Sequence, residues 1–244
     1  MSKTLLVTRP EPDNTATLLR LAALGLTAEA APVMVRQTLD ASLPPPDGFA
    51  AMVLTSANGI RALADRGLIE PYRHLPVFAV GDHTAFEARD LGFADVTSAA
   101  GAFADLVNII ALARLAGPVF YPAAKHQSGD LAKALAPHGI MVAVAKLYDM
   151  VPVAKLPDVT LADLAAGRFG GVMLYSRRTA EIFCELTATL TAEQRRAIAM
   201  LAMSEALAEP LLKAHFNRIS LADAPDEDAM MTLAVAFARE QSGP

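Results

Sequence analysis

The chain states one α/β pattern twice, and this repetition restricts its possible folds more than any other feature. Thr4-Leu5-Leu6-Val7 is a short apolar run, and after Arg9-Pro10 a polar turn leads into an amphipathic stretch through Leu18, Leu19 and Leu21 that stops at Gly25. Pro118-Val119-Phe120-Tyr121-Pro122 begins the same figure again and continues through Leu131 and Leu135 to Gly139. A second pair behaves alike: Met52-Val53-Leu54-Thr55-Ser56 runs into Ile60 and Leu63, and Met173-Leu174-Tyr175-Ser176 runs into Ile182 and Leu186. Each is followed by a further strand and helix, Val77 to Leu91 and Ile198 to His215. Two similar units imply two lobes, and two lobes imply a cleft, a common seat for a small molecule.

The apolar runs are continuous and rich in Val, Leu, Ile and Met, the pattern of parallel strands buried on both faces. They alternate with amphipathic segments, so each unit is expected to be a parallel sheet covered by helices on both sides. Strands are predicted near 4–8, 27–34, 50–55, 76–80, 94–97, 117–121, 140–150, 170–175, 197–203 and 218–221. Helices are predicted near 13–24, 57–66, 83–91, 102–114, 128–137, 160–166, 177–188, 191–196, 205–214 and 227–239. Pro32 to Thr38 and Lys146 to Pro152 differ, each carrying Pro and alternating apolar with polar residues like an exposed two-stranded ribbon. If they pair, residues 1–34 and 152–244 form one lobe and 39–146 the other, with linkers at 32–38 and 146–153. Asp40 to Gly48, with Pro44-Pro45-Pro46, and Asp223 to Asp228 read as loops.

Composition removes several classes of function. At 244 residues and 53% hydrophobic there is material for two cores. Tryptophan is absent and aromatics are 6%, which disfavours a base-stacking platform, and a net charge of −5 argues against a nucleic-acid partner. No run approaches the roughly 18 apolar residues of a membrane helix, and Met1-Ser2-Lys3 leads straight into a strand, so neither membrane insertion nor a signal peptide is expected. The expected location is the cytoplasm and the expected state a monomer. The single cysteine, Cys184, shares a helical face with Ile182 and Leu186 and reads as a structural thiol.

Chemistry concentrates where strands end. Thr55-Ser56-Ala57-Asn58, Gly81-Asp82-His83-Thr84, Ser176-Arg177-Arg178-Thr179 and Ser204-Glu205 each open a helix with a small or hydroxylic residue. Such residues cap free backbone N–H groups. The same positions line the carboxyl edge of a parallel sheet, where open α/β folds bind ligands, and a helix N-terminus favours an anion. Recurrence in both units points to a shared polyanionic ligand. Arg9, Lys125, Arg177 and Arg178 stand at the same edges, and Pro10 restricts where Arg9 points. Gly81 lacks the companion glycines of a dinucleotide loop, and neither a phosphate loop nor a Gly-x-Ser-x-Gly elbow occurs. Histidines 74, 83, 126, 138 and 215 lack metal-ligand spacing, so neither cofactor nor metal is expected.

Taken in order, Leu6-Val7-Thr8-Arg9-Pro10, Leu54-Thr55-Ser56-Ala57-Asn58-Gly59, Val80-Gly81-Asp82-His83-Thr84-Ala85, Leu147-Tyr148 and Leu174-Tyr175-Ser176 resemble bacterial uroporphyrinogen-III synthases over nearly the whole length. No single motif is specific; their order and spacing are. The chain departs where the family often has Gly followed by threonine, since it reads Met203-Ser204-Glu205-Ala206. The resemblance implies two flavodoxin-like lobes joined by a two-stranded ribbon, with a cleft between them. It implies closure of linear hydroxymethylbilane to uroporphyrinogen III with loss of water and inversion of the last pyrrole ring. It implies Tyr148 as proton donor and Thr55, Ser56, Thr84 and Ser176 as carboxylate-binding residues, to which the reading of strand ends adds Arg9 and Ser204. The eight carboxylates of that substrate suit helix N-termini and a few arginines. A two-lobed, non-catalytic binding or sensor protein for a polyanionic small molecule is the alternative. A flavin- or nucleotide-using enzyme and a family member without activity are further rivals.

Overall fold

The computed structural model describes residues 4–127 and 129–242. In chain order, β1 (Thr4–Val7), α1 (Asp13–Ala23) and β2 (Ala28–Ala30) come first, and β3 (Met34–Thr38) leads away from them. Then follow β4 (Ala51–Leu54), α2 (Ala57–Asp65), α3 (Ile69–Tyr72), β5 (Val77–Ala79), α4 (Asp82–Asp90) and β6 (Val96–Ser98). The middle of the chain closes with α5 (Phe103–Leu112), β7 (Val119–Ala124), α6 (Leu131–Leu135) and the long β8 (Val142–Pro152). The last part holds α7 (Asp158–Ala165), β9 (Phe169–Leu174), α8 (Arg177–Leu186), α9 (Ala192–Ala197) and β10 (Ala199–Ala202). It ends with α10 (Ala208–Lys213), β11 (Arg218–Leu221) and α11 (Glu227–Ser242).

Local chemistry explains where these elements depart from the sequence reading. The 128–137 helix begins only at Leu131, because Asp130 caps it by accepting the Lys133 N–H at 2.9 Å, and it ends in a tight turn at Ala136–His138; Ser128 lies outside the described residues. The 205–214 helix is a tight turn, Glu205–Leu207, followed by α10. Pro210 has no N–H and fits only the first turn of an α-helix, so α10 starts just before it. The loop after Asp40 contains a tight turn at Pro46–Gly48, and α3 was not foreseen at all. That one-turn helix buries Ile69 and Tyr72, and the Tyr72 hydroxyl donates to the Pro44 carbonyl.

The chain forms two compact units, one from residues up to Val35 and from Val151 onward, the other from Arg36 to Met150. It crosses between them in β3 and β8, which are neighbours in one sheet. The Leu39 N–H donates to the Leu147 carbonyl at 2.7 Å and the Val153 N–H to the Val33 carbonyl at 3.0 Å. One strand ascends in number as the other descends, so the crossing is an antiparallel ribbon.

In the first unit the sheet order is β11-β10-β9-β1-β2, and its four strand pairings are parallel. Numbered along the chain, this is 2-1-3-4-5, the flavodoxin arrangement. The second unit reads β8-β7-β4-β5-β6 beyond the ribbon strand. Numbered from β4 this is 3-2-1-4-5, the other doubly wound order. The two become identical if the first unit is read from β9, so that β9, β10, β11, β1 and β2 match β4, β5, β6, β7 and β8. The duplicated sequence runs match in the same way, Met173 with Met52 and Thr4 with Pro118. The units are therefore one topology in two circular permutations.

In the second unit the sheet is buried on both sides. Ile60 and Leu63 of α2 and Ala88 of α4 pack with Met52, Leu54 and Tyr148 on one face. Leu106 and Ile110 of α5 and Leu131 and Leu135 of α6 pack with Ala51, Val53 and Tyr121 on the other. Consecutive β4 residues alternate between the two cores, as strand geometry requires. In the first unit Leu21 of α1 and Met230, Ala234 and Phe237 of α11 cover Leu5, Val7 and Leu201. Gly59, on the first turn of α2, has a steric reason to be glycine. An added Cβ would stand 2.4 Å from the Pro122 carbonyl oxygen of β7. Backbone cannot yield as a side chain does, so Gly59→Ala is expected to cost about 1–3 kcal/mol and to lower the midpoint of thermal unfolding. An unchanged midpoint would show that the α2–β7 approach is not tight.

Candidate active site

Doubly wound sheets bind ligands outside the carboxyl ends of their strands, where neighbouring strands lead off in opposite directions. In the second unit that point lies between β4 and β7. A cavity of about 120 Å³ opens there, lined by Thr55, Ser56, Phe103, Tyr121, Ala124, His126, Gln127, Gly129 and Tyr148. Thr55 and Ser56 are the first residues after β4. Ser56 caps α2 by accepting the Asn58 N–H at 3.2 Å, so its capping role is real and leaves the hydroxyl at the cavity wall.

The two tyrosines arrive from opposite faces of the sheet. Tyr148 belongs to the core under α2 and Tyr121 to the core under α5 and α6. Their strands are paired, Tyr121 opposite Val144 and Ala124 opposite Tyr148. Tyr121 shares a 2.7 Å hydrogen bond with the Thr55 hydroxyl. Tyr148 is 5% exposed, and burial raises its pKa above the usual tyrosine value. The nearby Ser56 hydroxyl opposes that rise by favouring the phenolate, while Tyr121 adds to it. Burial likewise raises Tyr121, against the Thr55 bond. Tyr148 is thus a protonated phenol at neutral pH, with its oxygen at a polar wall and its ring in the core.

Tyr121, Phe103, His126 and Gln127 were not singled out as site residues from the sequence. For Tyr121 a signal existed: a tyrosine in an otherwise apolar buried strand needs a partner for its hydroxyl. Thr84 is buried on the first turn of α4 but does not line this cavity. Its helix begins at Gly81 with no side-chain cap.

The first unit has the corresponding point between β1 and β9. The Thr8 hydroxyl donates to the Met173 carbonyl at 2.7 Å, and the Asn14 amide donates to the Val7 and Arg9 carbonyls at 2.9 and 2.8 Å. Arg9 lies 4.6 Å from the Tyr175 ring centroid. Its guanidinium pairs with Asp13 at 3.1 Å and with Glu227 of α11, and donates to Thr17 at 3.3 Å. The sequence showed Arg9 at a strand end but not the carboxylates that fold brings to it. Burial, then the Glu227 charge, raises Tyr175 well above its usual pKa.

Ser176 caps α8, accepting the Thr179 N–H at 3.1 Å. Ser204 makes no side-chain capping bond, contrary to the capping role expected of it, because a tight turn and not an α-helix follows. Arg177 pairs with Glu181 at 2.9 Å and Glu209 at 2.7 Å, and Lys125 with Asp149 at 3.3 Å. Lys213 and Arg177 push Glu209 down to about 2. Cys184 is half-buried against the Pro210 carbonyl, and burial pushes its thiol up to about 11, so it is a poor nucleophile. A larger cavity, about 300 Å³, sits at the amino edge of the first unit beside Phe169, Ile198 and Arg218. It holds none of the hydroxylic strand ends, and Arg218 already donates to the Ala197 carbonyl there at 2.8 Å.

Fold and site together define a class: a pair of doubly wound α/β units whose carboxyl edges carry hydroxyl groups and helix N-termini. The sequence pattern described as uroporphyrinogen-III synthase HemD matches residues 15–232, and the chain belongs to the uroporphyrinogen-III synthase family. Members are lyases of haem biosynthesis that cyclise hydroxymethylbilane. The structure is similar to that of a uroporphyrinogen-III synthetase from Helicobacter pylori, with a TM-score of 0.65 and 19% identity over 97% of this chain and 100% of that one. It is also similar to a mutant uroporphyrinogen III synthase from Thermus thermophilus, with a TM-score of 0.56 and 17% identity over 98% and 99%. At such identities these likenesses speak to the fold. No curated protein matches the chain by sequence.

All four tyrosines, Tyr72, Tyr121, Tyr148 and Tyr175, are shifted above 10.0 with burial as the first cause. Above that pH the unfolded chain loses phenolic protons that the folded chain keeps. The native state then binds more protons, so stability falls as pH rises. Phenolate absorbance of the folded protein is therefore expected to lag that of free tyrosine at pH 10 and to appear together with unfolding. Ionisation equal to that of free tyrosine at pH 10 in a folded protein would contradict this burial.

Proposed function

We propose that this chain closes hydroxymethylbilane to uroporphyrinogen III with Tyr148 as proton donor and without a cofactor. The observation that carries the assignment is the cavity at the end of β4, where a buried, protonated phenol meets a wall of hydroxyl groups. In the first step the carbon–oxygen bond of the terminal hydroxymethyl group breaks. The pyrrole nitrogen supplies electron density, and the oxygen takes the Tyr148 proton and leaves as water. The resulting azafulvene is attacked by the substituted carbon of the last ring to give a spiro intermediate. That intermediate opens and recloses with the ring inverted. The final loss of a ring proton restores the phenol, so the net change is one water.

A buried tyrosine is a weak acid, which matches a leaving group already pushed out by its own pyrrole. Ser56 eases the transient phenolate. The remaining task is orientation, because unaided closure gives the uninverted isomer. For this we propose that Thr55, Ser56 and Thr84 in one unit, and Arg9, Ser176 and Ser204 in the other, hold substrate carboxylates. The N-terminus of α2 supports this with the positive end of its helix dipole. Arg9 contributes only by exchanging one of its carboxylate partners for the substrate's. We further propose a cytoplasmic monomer. No helix among the described residues is long and apolar enough to cross a membrane, and gel filtration tests the monomer.

Feeding porphobilinogen and a hydroxymethylbilane synthase into this protein, then separating the oxidised porphyrins, should give a large excess of isomer III over isomer I. Isomer I alone from folded protein would favour the binding or sensor reading. Tyr148→Phe is expected to slow turnover by about ten- to a hundredfold, at the modest end of general-acid effects, with the thermal midpoint near wild type. Full activity would remove Tyr148 from the chemistry. Arg9→Ala is expected to raise KM more than it lowers kcat and to lower the thermal midpoint, since Asp13 and Glu227 lose their cation. A lowered midpoint with KM unmoved would make Arg9 a purely structural latch.

A further inference from the structure

The end of β4 divides its two hydroxyls between the two faces of the sheet. Leu54 packs in the core under α2 and Val53 in the core under α5 and α6. Strand alternation therefore sends Thr55 toward the second face and Ser56 toward the first. Each hydroxyl meets a phenol from its own side, Thr55 with Tyr121 at 2.7 Å and Ser56 beside Tyr148. All four groups border one cavity of about 120 Å³. That volume suits a carboxylate arm or one edge of a pyrrole, not a whole tetrapyrrole.

A single proton donor does not need a second phenol opposite it. Tyr121 is 3% exposed, so its hydroxyl is withheld from bulk water and directed at Thr55 and the cavity. Its strand is rigidly held, because Gly59 of α2 rests against the carbonyl of the next residue, Pro122. Taking a buried hydroxyl into a strand at this place costs desolvation unless it stays bonded, and Thr55 meets that need. The pair makes a polar wall that shares the cavity with Tyr148, where one edge of a pyrrole fits.

We propose that Tyr121, held by Thr55, is a positioning residue that decides which carbon of the terminal pyrrole, the substituted or the free one, is presented to the azafulvene after the hydroxyl has left. This rests on the cyclisation reading above and assigns its isomer selection to a group other than the proton donor. Tyr148 governs how fast the bilane is consumed, and Tyr121 governs which isomer the enzyme releases. Tyr121→Phe keeps the ring and its packing and removes only the oxygen. Loss of one oriented hydrogen bond corresponds to about a tenfold change in discrimination.

The experiment uses the intact protein at concentrations where bilane consumption far outruns uncatalysed closure, so that any isomer I is formed on the enzyme. Consumption rate and the ratio of isomer III to isomer I are read together, with thermal melts confirming that each variant is folded. For Tyr121→Phe, consumption within about twofold of wild type and a roughly tenfold fall in the isomer ratio are expected. Thr55→Val, which breaks the same bond from the other side, should also lower the ratio, and Thr55→Ser, which keeps the oxygen, should restore it. These two variants decide the matter should Tyr121→Phe fail to fold. An unchanged isomer ratio in folded Tyr121→Phe or Thr55→Val overturns the proposal. Slowed consumption with an unchanged ratio also overturns it, since Tyr121 would then assist proton transfer. Wild-type protein that yields only isomer I overturns the underlying cyclisation reading, and is recognised by the wild-type arm alone.

Discussion

A parallel sheet covered by helices on both faces has one place to present polar groups, the edge where its strands end. Here the second unit's β4 is fully buried along its length, and the cores on its two sides are apolar throughout the strand. Hydroxyl groups first become available at Thr55 and Ser56. Everything chemical about this unit follows from that geometry: the α2 N-terminus, the cavity, and the two tyrosines that reach it from opposite faces. The backbone contact of Gly59 with Pro122 keeps α2 close to β7, and so keeps Ser56 and Tyr121 at one small space.

The two units reach the same topology by different chain paths. Their strand orders differ when counted along the chain and coincide after circular permutation. A permuted copy needs two crossings of the chain, and the antiparallel ribbon of β3 and β8 supplies both. Tyr148 sits on that long strand shortly before the crossing, beside the carboxyl end of β7 and against Ser56. The other copy has placed Arg9 and Tyr175 at its corresponding strand ends, and there charge is balanced internally by Asp13 and Glu227. The duplicated scaffolds thus carry different chemistry, a neutral hydroxyl cluster in one and a paired cation in the other.

Much of the architecture was legible in the residues. Continuous apolar runs ended by capping residues located the strands and most helices, because burial on two faces leaves little choice of residue type. Proline and Asp130 moved helix starts in ways local chemistry explains, and α3 went unseen because one turn has no periodicity to detect. Site residues were less legible. Thr55, Ser56 and Tyr148 stood at strand ends or in a recognisable order. Tyr121 looked like one more buried strand residue, and its meaning depends on Thr55, far away in sequence.

By itself the sequence determined the alternation of strand and helix, the duplication, and the family to which the chain belongs, since these rest on local patterns and their order. Only the tertiary structure decided which hydroxyl meets which phenol, that Arg9 is already paired with two acids, that Ser204 makes no capping bond, and that the two units are permuted copies. Pairings between distant residues depend on strand order and on which face a side chain takes. A stretch of sequence carries its own periodicity, but not the identity of its neighbour across the sheet.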